Sequence, residues 1–179
     1  MKLFAAIRPN EKIIRTLVRQ QKGVSGAKWS APEKLHITLG YFGEVDPDRA
    51  EMLDTELARL KMTGFEVELF GAGHFGSSEP HAIWIGVKPS KELTQLYKHC
   101  RRSARFANIE METRPFMPHV TLAYLKRDPR IDRVVAFEKR LAEFKAGPFL
   151  VDQFHLYSSL QSRNKPNTYR VEASYPLVG

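Results

Sequence analysis

Apolar and polar positions alternate with two different periods along this chain. Leu3 to Ile7 is a short continuous apolar run, the pattern of a buried strand, and Pro9-Asn10 ends it. From Glu11 to Lys22 the period becomes helical: Ile13, Ile14, Leu17 and Val18 form one stripe, with Asn10 placed to cap it and Gly23 to stop it. Leu35 to Phe42 reads as a strand. Asp46-Pro47 then opens a helix reaching about Leu60, with Leu53, Leu57 and Leu60 inward. Phe65, Val67 and Leu69 alternate as a strand, and Ala82 to Val87 forms a buried one. Pro89-Ser90 begins a third helix with Leu93, Leu96, Tyr97, Cys100 and Ala104 on its core side. His119 to Leu125 is a strand, and Asp132 caps a helix to about Phe144. Gly147-Pro148 breaks the chain, and Phe149 to Tyr157 and Thr168 to Ala173 are strands around a polar loop at 162–167. Eight strands and four helices in this order give an α+β class.

The two halves repeat. Lys34-Leu35-His36-Ile37-Thr38-Leu39-Gly40-Tyr41 matches Met117-Pro118-His119-Val120-Thr121-Leu122-Ala123-Tyr124 at an offset of 83. Phe65-Glu66-Val67 matches Phe149-Leu150-Val151 at an offset of 84. Two copies predict two similar lobes related by a pseudo-twofold axis, not a solenoid.

On a strand, side chains alternate between faces, so His36 and Thr38 share one face while Leu35, Ile37 and Leu39 take the other. His119 and Thr121 do the same, with Val120 and Leu122 opposite. If the lobes meet across a twofold, both His/Thr faces line one cleft. Two imidazoles at one site suit acid–base chemistry near neutral pH. A threonine hydroxyl two residues on can hold a phosphate oxygen. Such an arrangement requires no metal or cofactor. A lone strand histidine or threonine is more often structural; the duplication of the pair is what favours catalysis here.

Length and composition agree. With 179 residues, the chain can bury roughly 70% of its unfolded surface in one domain. The net charge of +8 favours anionic partners such as RNA or phosphorylated small molecules. A single cysteine, Cys100, excludes an intrachain disulfide framework and points to a reducing cytoplasm. The apolar run at the N-terminus is too short for a signal peptide, and no stretch is long enough for a membrane helix. A soluble, cytoplasmic monomer is expected.

The paired segments resemble the signatures of the two-histidine phosphoesterase superfamily, specifically the RNA 2′,3′-cyclic phosphodiesterases of the 2′-5′ RNA ligase family. The first runs from Trp29 through Pro32-Glu33-Lys34-Leu35-His36-Ile37-Thr38-Leu39-Gly40-Tyr41-Phe42-Gly43, the second over Phe116 to Ala123. Leu156 to Leu160 and Tyr169 are similar to the family's C-terminal hairpin. The resemblance spans essentially the whole chain. It implies one bilobal domain over residues 1–179, with two antiparallel sheets flanking a central cleft and helices outside. It also implies metal-free hydrolysis of an RNA 2′,3′-cyclic phosphate to a 2′-phosphate, with His119 as base and His36 as acid by likeness. The family often carries Arg where Tyr124 stands. Lys126 or Arg127 is the candidate replacement, Arg127 having the parity of His119 and Thr121; solvated strand-end charges are the alternative for both. Phe42 has the parity of His36 and is a candidate groove residue, with core packing as the competing reading. Other substrates remain open: 2′-5′ oligonucleotides, small cyclic nucleotides, or RNA ends for ligation. A non-catalytic basic RNA-binding module is the rival outside enzymology.

Among the remaining candidates, His74, His81, His99 and His155 show no metal-ligand spacing. His99 is expected on the polar side of its helix, Cys100 in the core, and His155 beside the cleft or on the surface. Phe75 is a base-stacking candidate or an apolar anchor. Arg101, Arg102 and Arg105 form a basic helix end.

Overall fold

A computed structural model describes residues 1–178; Gly179, the last residue of the expected domain, lies outside the described residues. The elements run β1 (Lys2–Ile7), α1 (Glu11–Gln20), β2 (Ala27–Trp29), a 3₁₀ turn (Pro32–Lys34), β3 (Ile37–Glu44), α2 (Pro47–Ala58), β4 (Phe65–Phe75), β5 (Ala82–Val87), α3 (Lys91–Phe106), β6 (His119–Leu125), α4 (Ile131–Arg140), β7 (Lys145–Val151), β8 (Gln153–Ser162) and β9 (Lys165–Pro176). The helix starts follow their caps. The side chains of Asn10, Asp46 and Ser90 each accept a hydrogen bond from the backbone N–H three residues on, which satisfies one of the free donors of the first turn.

The strands form one antiparallel path, β7-β4-β5-β6-β3-β1-β8-β9, with β2 beside β6. The two expected sheets are the halves of this path. They are joined at a single residue pair, Ile37 with Val120, both fully buried. Beyond that pair β6 turns its free edge to β2 instead of β3, so the halves part and a cleft opens between them. α2 and α3 pack together, α3 covering β3, while α1 and α4 cover β7 and β4. The helices therefore lie outside a core that includes Leu35, Ile37, Leu39, Ile83, Ile85, Val120 and Leu122.

The strand order is symmetric about the β6–β3 junction, so β4 takes the place in its half that β8 takes in the other. This changes the meaning of one sequence match. Phe65–Val67 and Phe149–Val151 are cross-strand partners in a single half, Phe65 opposite Val151, and not symmetry mates. The run expected as one strand from Phe149 to Tyr157 is two strands, split at Asp152 and sent to opposite halves of the sheet. Gly147-Pro148 does not end an element. It lies within β7, an edge strand, where a residue without an N–H is tolerated. The polar loop shrinks to Arg163-Asn164, because Ser162 pairs directly with Lys165. Asp132 does not cap α4; it sits in the first turn and binds Arg130 instead.

His99 is a further correction. It lies on the buried stripe of α3 between Leu96 and Ser103, 9% exposed, with Nε2 bonded to the Leu57 carbonyl at 3.1 Å. The packing of α2 against α3 widens that stripe beyond what the apolar residues mark. Cys100 is fully buried as expected, and burial pushes its thiol up to about 12. Among the described residues, no helix is long and apolar enough to cross a membrane.

Candidate active site

The two histidines stand at the starts of β3 and β6, on either side of the Ile37–Val120 pair. Extending that antiparallel register by one residue each way puts His36 across from Thr121 and Thr38 across from His119. Each motif's histidine thus meets the other motif's threonine.

Both rings are oriented the same way by the backbone. His36 Nδ1 donates to the Lys34 carbonyl at 2.6 Å, and His119 Nδ1 donates to the Met117 carbonyl at 2.7 Å. A carbonyl only accepts, so Nδ1 carries the hydrogen in both rings. Nε2 is left as the nitrogen for chemistry. The Thr38 hydroxyl lies 3.0 Å from His36 Nε2 and donates to it while the ring is neutral. His119 Nε2 has no partner among the described residues. Burial lowers the basicity of both imidazoles, against the bonds to the carbonyls, which raise it. For His36, the nearby His119 and Arg8 lower it further. This lowering favours the neutral rings.

Both His/Thr pairs open onto one cleft of about 480 Å³. Three lysines, Lys2, Lys28 and Lys34, line it, and no Asp or Glu does among the described residues. Its field therefore favours an anion. Lys34 Nζ donates to Asn167 Oδ1 at 3.0 Å, and Asn167 Nδ2 donates to Ser159 Oγ at 3.1 Å, which ties the 3₁₀ turn to the β8–β9 hairpin. The same ammonium sits 5.4 Å from the ring centre of Tyr169. Among the described residues, no group of three His, Cys, Asp or Glu side chains is placed to hold a metal ion.

His36, Thr38, His119 and Thr121 come together as expected from their shared faces. Phe42 does not join them: it is 4% exposed and packed in the core. The reason is a β-bulge. Opposite Ala5 and Ala6, β3 supplies Gly40 and Thr38, with Leu39 as the extra residue, so the alternation slips by one. Tyr41, 53% exposed, takes the cleft position instead. β6 has the matching bulge at Leu122, between Thr121 and Ala123, and Tyr124 takes the equivalent position, 55% exposed. Arg127 is also corrected. β6 ends at Leu125, and Arg127 is exposed in the turn beyond it, outside the cleft lining. His155 bonds Ser174 and lies outside the lining too. Phe75 meets the His119 ring edge-on at 4.8 Å, which makes it a support for that ring.

Sequence reasoning missed Lys2, Lys28, Lys34, Asn167 and both tyrosines as cleft residues. For Tyr41 and Tyr124 a signal existed: they are identical at the repeat offset. For the lysines there was none, because their convergence depends on strand pairing.

The sequence model of the 2′-5′ RNA ligase superfamily matches residues 9–163. Two relatives named RNA 2′,3′-cyclic phosphodiesterase are similar over nearly the full length. That of Archaeoglobus fulgidus is 28% identical, over 93% of this chain and 95% of its own. That of Thermotoga maritima is 29% identical, over 93% and 90%. Among solved structures, apo LigT of E. coli superposes with a TM-score of 0.79 over 99% of this chain and 98% of its own. At 24% identity, it shows the fold alone. The family match over most of the chain and the full-length relatives agree with the duplicated His/Thr cleft: this chain belongs to the 2′-5′ RNA ligase superfamily.

Proposed function

We propose that this chain hydrolyses RNA 2′,3′-cyclic phosphate ends to 2′-phosphates, with His119 as general base and His36 as general acid. The observation that carries the reading is the pair of identically oriented imidazoles, each with Nε2 free of the backbone, in one cleft lined by three lysines and no carboxylate. The names of the Archaeoglobus and Thermotoga relatives support the substrate.

In the reaction, a water gives a proton to His119 Nε2 as its oxygen attacks phosphorus. The bond from phosphorus to the 3′ oxygen breaks on the opposite side, and His36 Nε2–H protonates that oxygen. The 2′-phosphate and a free 3′-hydroxyl leave. In-line displacement sets attacking water and leaving oxygen on opposite sides of phosphorus, so the ribose must lie on the acid's side. The cleft extends mainly over the His36 half, along Phe4, Lys2, Ser159 and Tyr169, which supports His36 as that acid. His36 is loaded by the substrate itself: an entering phosphate anion favours the imidazolium that burial had disfavoured. The Thr38 hydroxyl then turns from Nε2 to a phosphate oxygen, and Thr121 holds another. The charges of Lys28 and Lys34 stabilise the crowded dianionic transition state. No metal enters these steps. One copy of the chain supplies both histidines, so a single bilobal unit suffices.

The test is incubation of an RNA oligonucleotide ending in a 2′,3′-cyclic phosphate with the purified protein in EDTA, and mapping of the product. A 2′-phosphate product that disappears in both His36→Ala and His119→Ala proteins is expected. A 3′-phosphate product would overturn the assignment, and a requirement for added divalent ion would overturn the metal-free route.

A further inference from the structure

The repeat makes the two halves comparable position by position. Tyr41 and Tyr124 are equivalent; Tyr41 faces Phe4 across the strands, and Tyr124 faces Ala82. Two residues earlier, Lys2 on one half therefore corresponds to Pro80 on the other. The catalytic centre is duplicated, but this stretch of the wall is not.

Lys2 stands in a row of its own. On the cleft face of the His36 half, Thr38 pairs with Ala6, Tyr41 with Phe4, and beyond them Lys2 with Ser159, which in turn pairs with Tyr169. Lys2 is four residues along β1 from Ala6, about 13 Å at the usual rise of a strand. The aromatic row of Phe4 and Tyr41 lies between. Lys2, Ser159 and Gln161 line the cleft there. The Ser159 oxygen accepts from Asn167, which leaves its O–H to donate, and Gln161 adds an amide. Glu44, the cross-strand neighbour of Lys2, is engaged by the Met1 amine at 3.4 Å. Lys2 has no ion-pair or hydrogen-bond partner among the described residues.

We propose that Lys2, with Ser159 and Gln161, forms a second anion subsite that binds the phosphate on the 5′ side of the terminal nucleoside. The inference rests on the cyclic phosphodiesterase reading and deepens it. The reacting phosphate sits between the histidines, its nucleoside lies over Phe4 and Tyr41, and the next phosphate of the strand reaches Lys2. The subsite makes the protein a reader of RNA ends over free nucleoside cyclic phosphates, because only a strand, or a 5′-phosphorylated nucleotide, carries the second charge.

The experiment compares adenosine 2′,3′-cyclic phosphate with and without a 5′-phosphate, and a dinucleotide ending in the same group. Wild type should turn over all three and favour the two 5′-substituted substrates about five- to tenfold in kcat/KM, the worth of one charge-assisted contact at a half-open site. Lys2→Gln should erase that preference and leave the unsubstituted substrate unchanged. It should also make the salt dependence of kcat/KM for the dinucleotide shallower, because one screened charge contact is lost. Lys2→Glu should invert the preference, which separates the charge from a folding defect. Lys98→Gln on α3 serves as the charge-matched control. Equal turnover of all three substrates by wild type, or a preference that survives Lys2→Gln and Lys2→Glu, would overturn the subsite and leave the phosphodiesterase intact. No turnover of any of them overturns the reading beneath it as well.

Discussion

On one side of the cleft the His36 ring rests near Phe4 and Tyr169, with centroids at 5.1 and 5.6 Å, and the wall runs on through lysines and a hairpin. On the other the His119 ring is met by Phe75 and Trp84, at 4.8 and 5.9 Å, and the lining passes from Thr121 and Tyr124 to β2. Trp84 lies flat over Gly73, where any β-carbon would overlap its ring. The His36 wall lines the open cleft, while the His119 ring is backed by Phe75 and Trp84. The His/Thr pairs are repeated because strand, bulge and i−2 carbonyl are repeated. The walls differ because the β8–β9 hairpin lines the cleft on the His36 side, whereas β4 and β5 contribute Phe75 and Trp84, which pack on His119 and lie outside the lining. A duplicated motif thus keeps the two imidazoles alike, and under the proposed function the unrepeated wall distinguishes acid from base.

The largest expected effect tests whether the rings act as a pair. His36→Ala and His119→Ala should each reduce the turnover of a cyclic phosphate about 10²- to 10⁴-fold. An aryl phosphodiester such as bis(p-nitrophenyl) phosphate then breaks their equivalence. Its leaving group needs no proton, so His36→Ala should lose far less on it than His119→Ala does. The reverse order would exchange the roles of the two halves.

Next come the threonines. Thr38→Val and Thr121→Val each remove a hydroxyl and keep the shape, and about ten- to a hundredfold in kcat/KM is expected from a hydrogen bond to a charged group. Full activity in either valine protein would remove that hydroxyl from the phosphate site.

The pH profile of kcat/KM sharpens the comparison more gently. A base must be neutral and an acid protonated in the free enzyme, which gives a bell. Burial lowers both histidines from the ordinary 6.5, so both limbs move toward acid. Activity should peak below pH 6.5 and fall about tenfold per unit well outside the two limbs. A maximum above pH 8, or a flat profile from 5 to 9, contradicts the histidine pair.

The smallest effects separate neighbours in sequence. Tyr41→Ala should raise KM a few-fold with stability changed by less than about 0.5 kcal/mol, as for an exposed residue. Phe42→Leu should leave KM alone and lower the melting temperature, at about 1.5 kcal/mol or less for a buried swap of similar volume. Chemical denaturation with parallel kinetics reads both; the opposite pattern would put Phe42 back in the groove.

What was legible in the sequence was local. Asn10, Asp46 and Ser90 cap helices through bonds to residues three away, and the caps appear where the letters place them. The shared face of His36 and Thr38, and of His119 and Thr121, follows from strand pleat alone, and the +8 charge already pointed to an anion. The duplication made the histidines stand out, since a repeat needs no neighbours to be seen. What only the tertiary structure decided depends on which strands pair. The bulges at Leu39 and Leu122 arise against β1 and β5, and they move Phe42 into the core and bring Tyr41 and Tyr124 to the cleft. Lys34 meets Asn167 across 133 positions of chain, and Lys2 reaches the same cleft from β1. Side-chain alternation is a property of one strand, but register and bulge are properties of two, so the His/Thr pairs are read from the sequence and the walls of the cleft are built by long-range pairing.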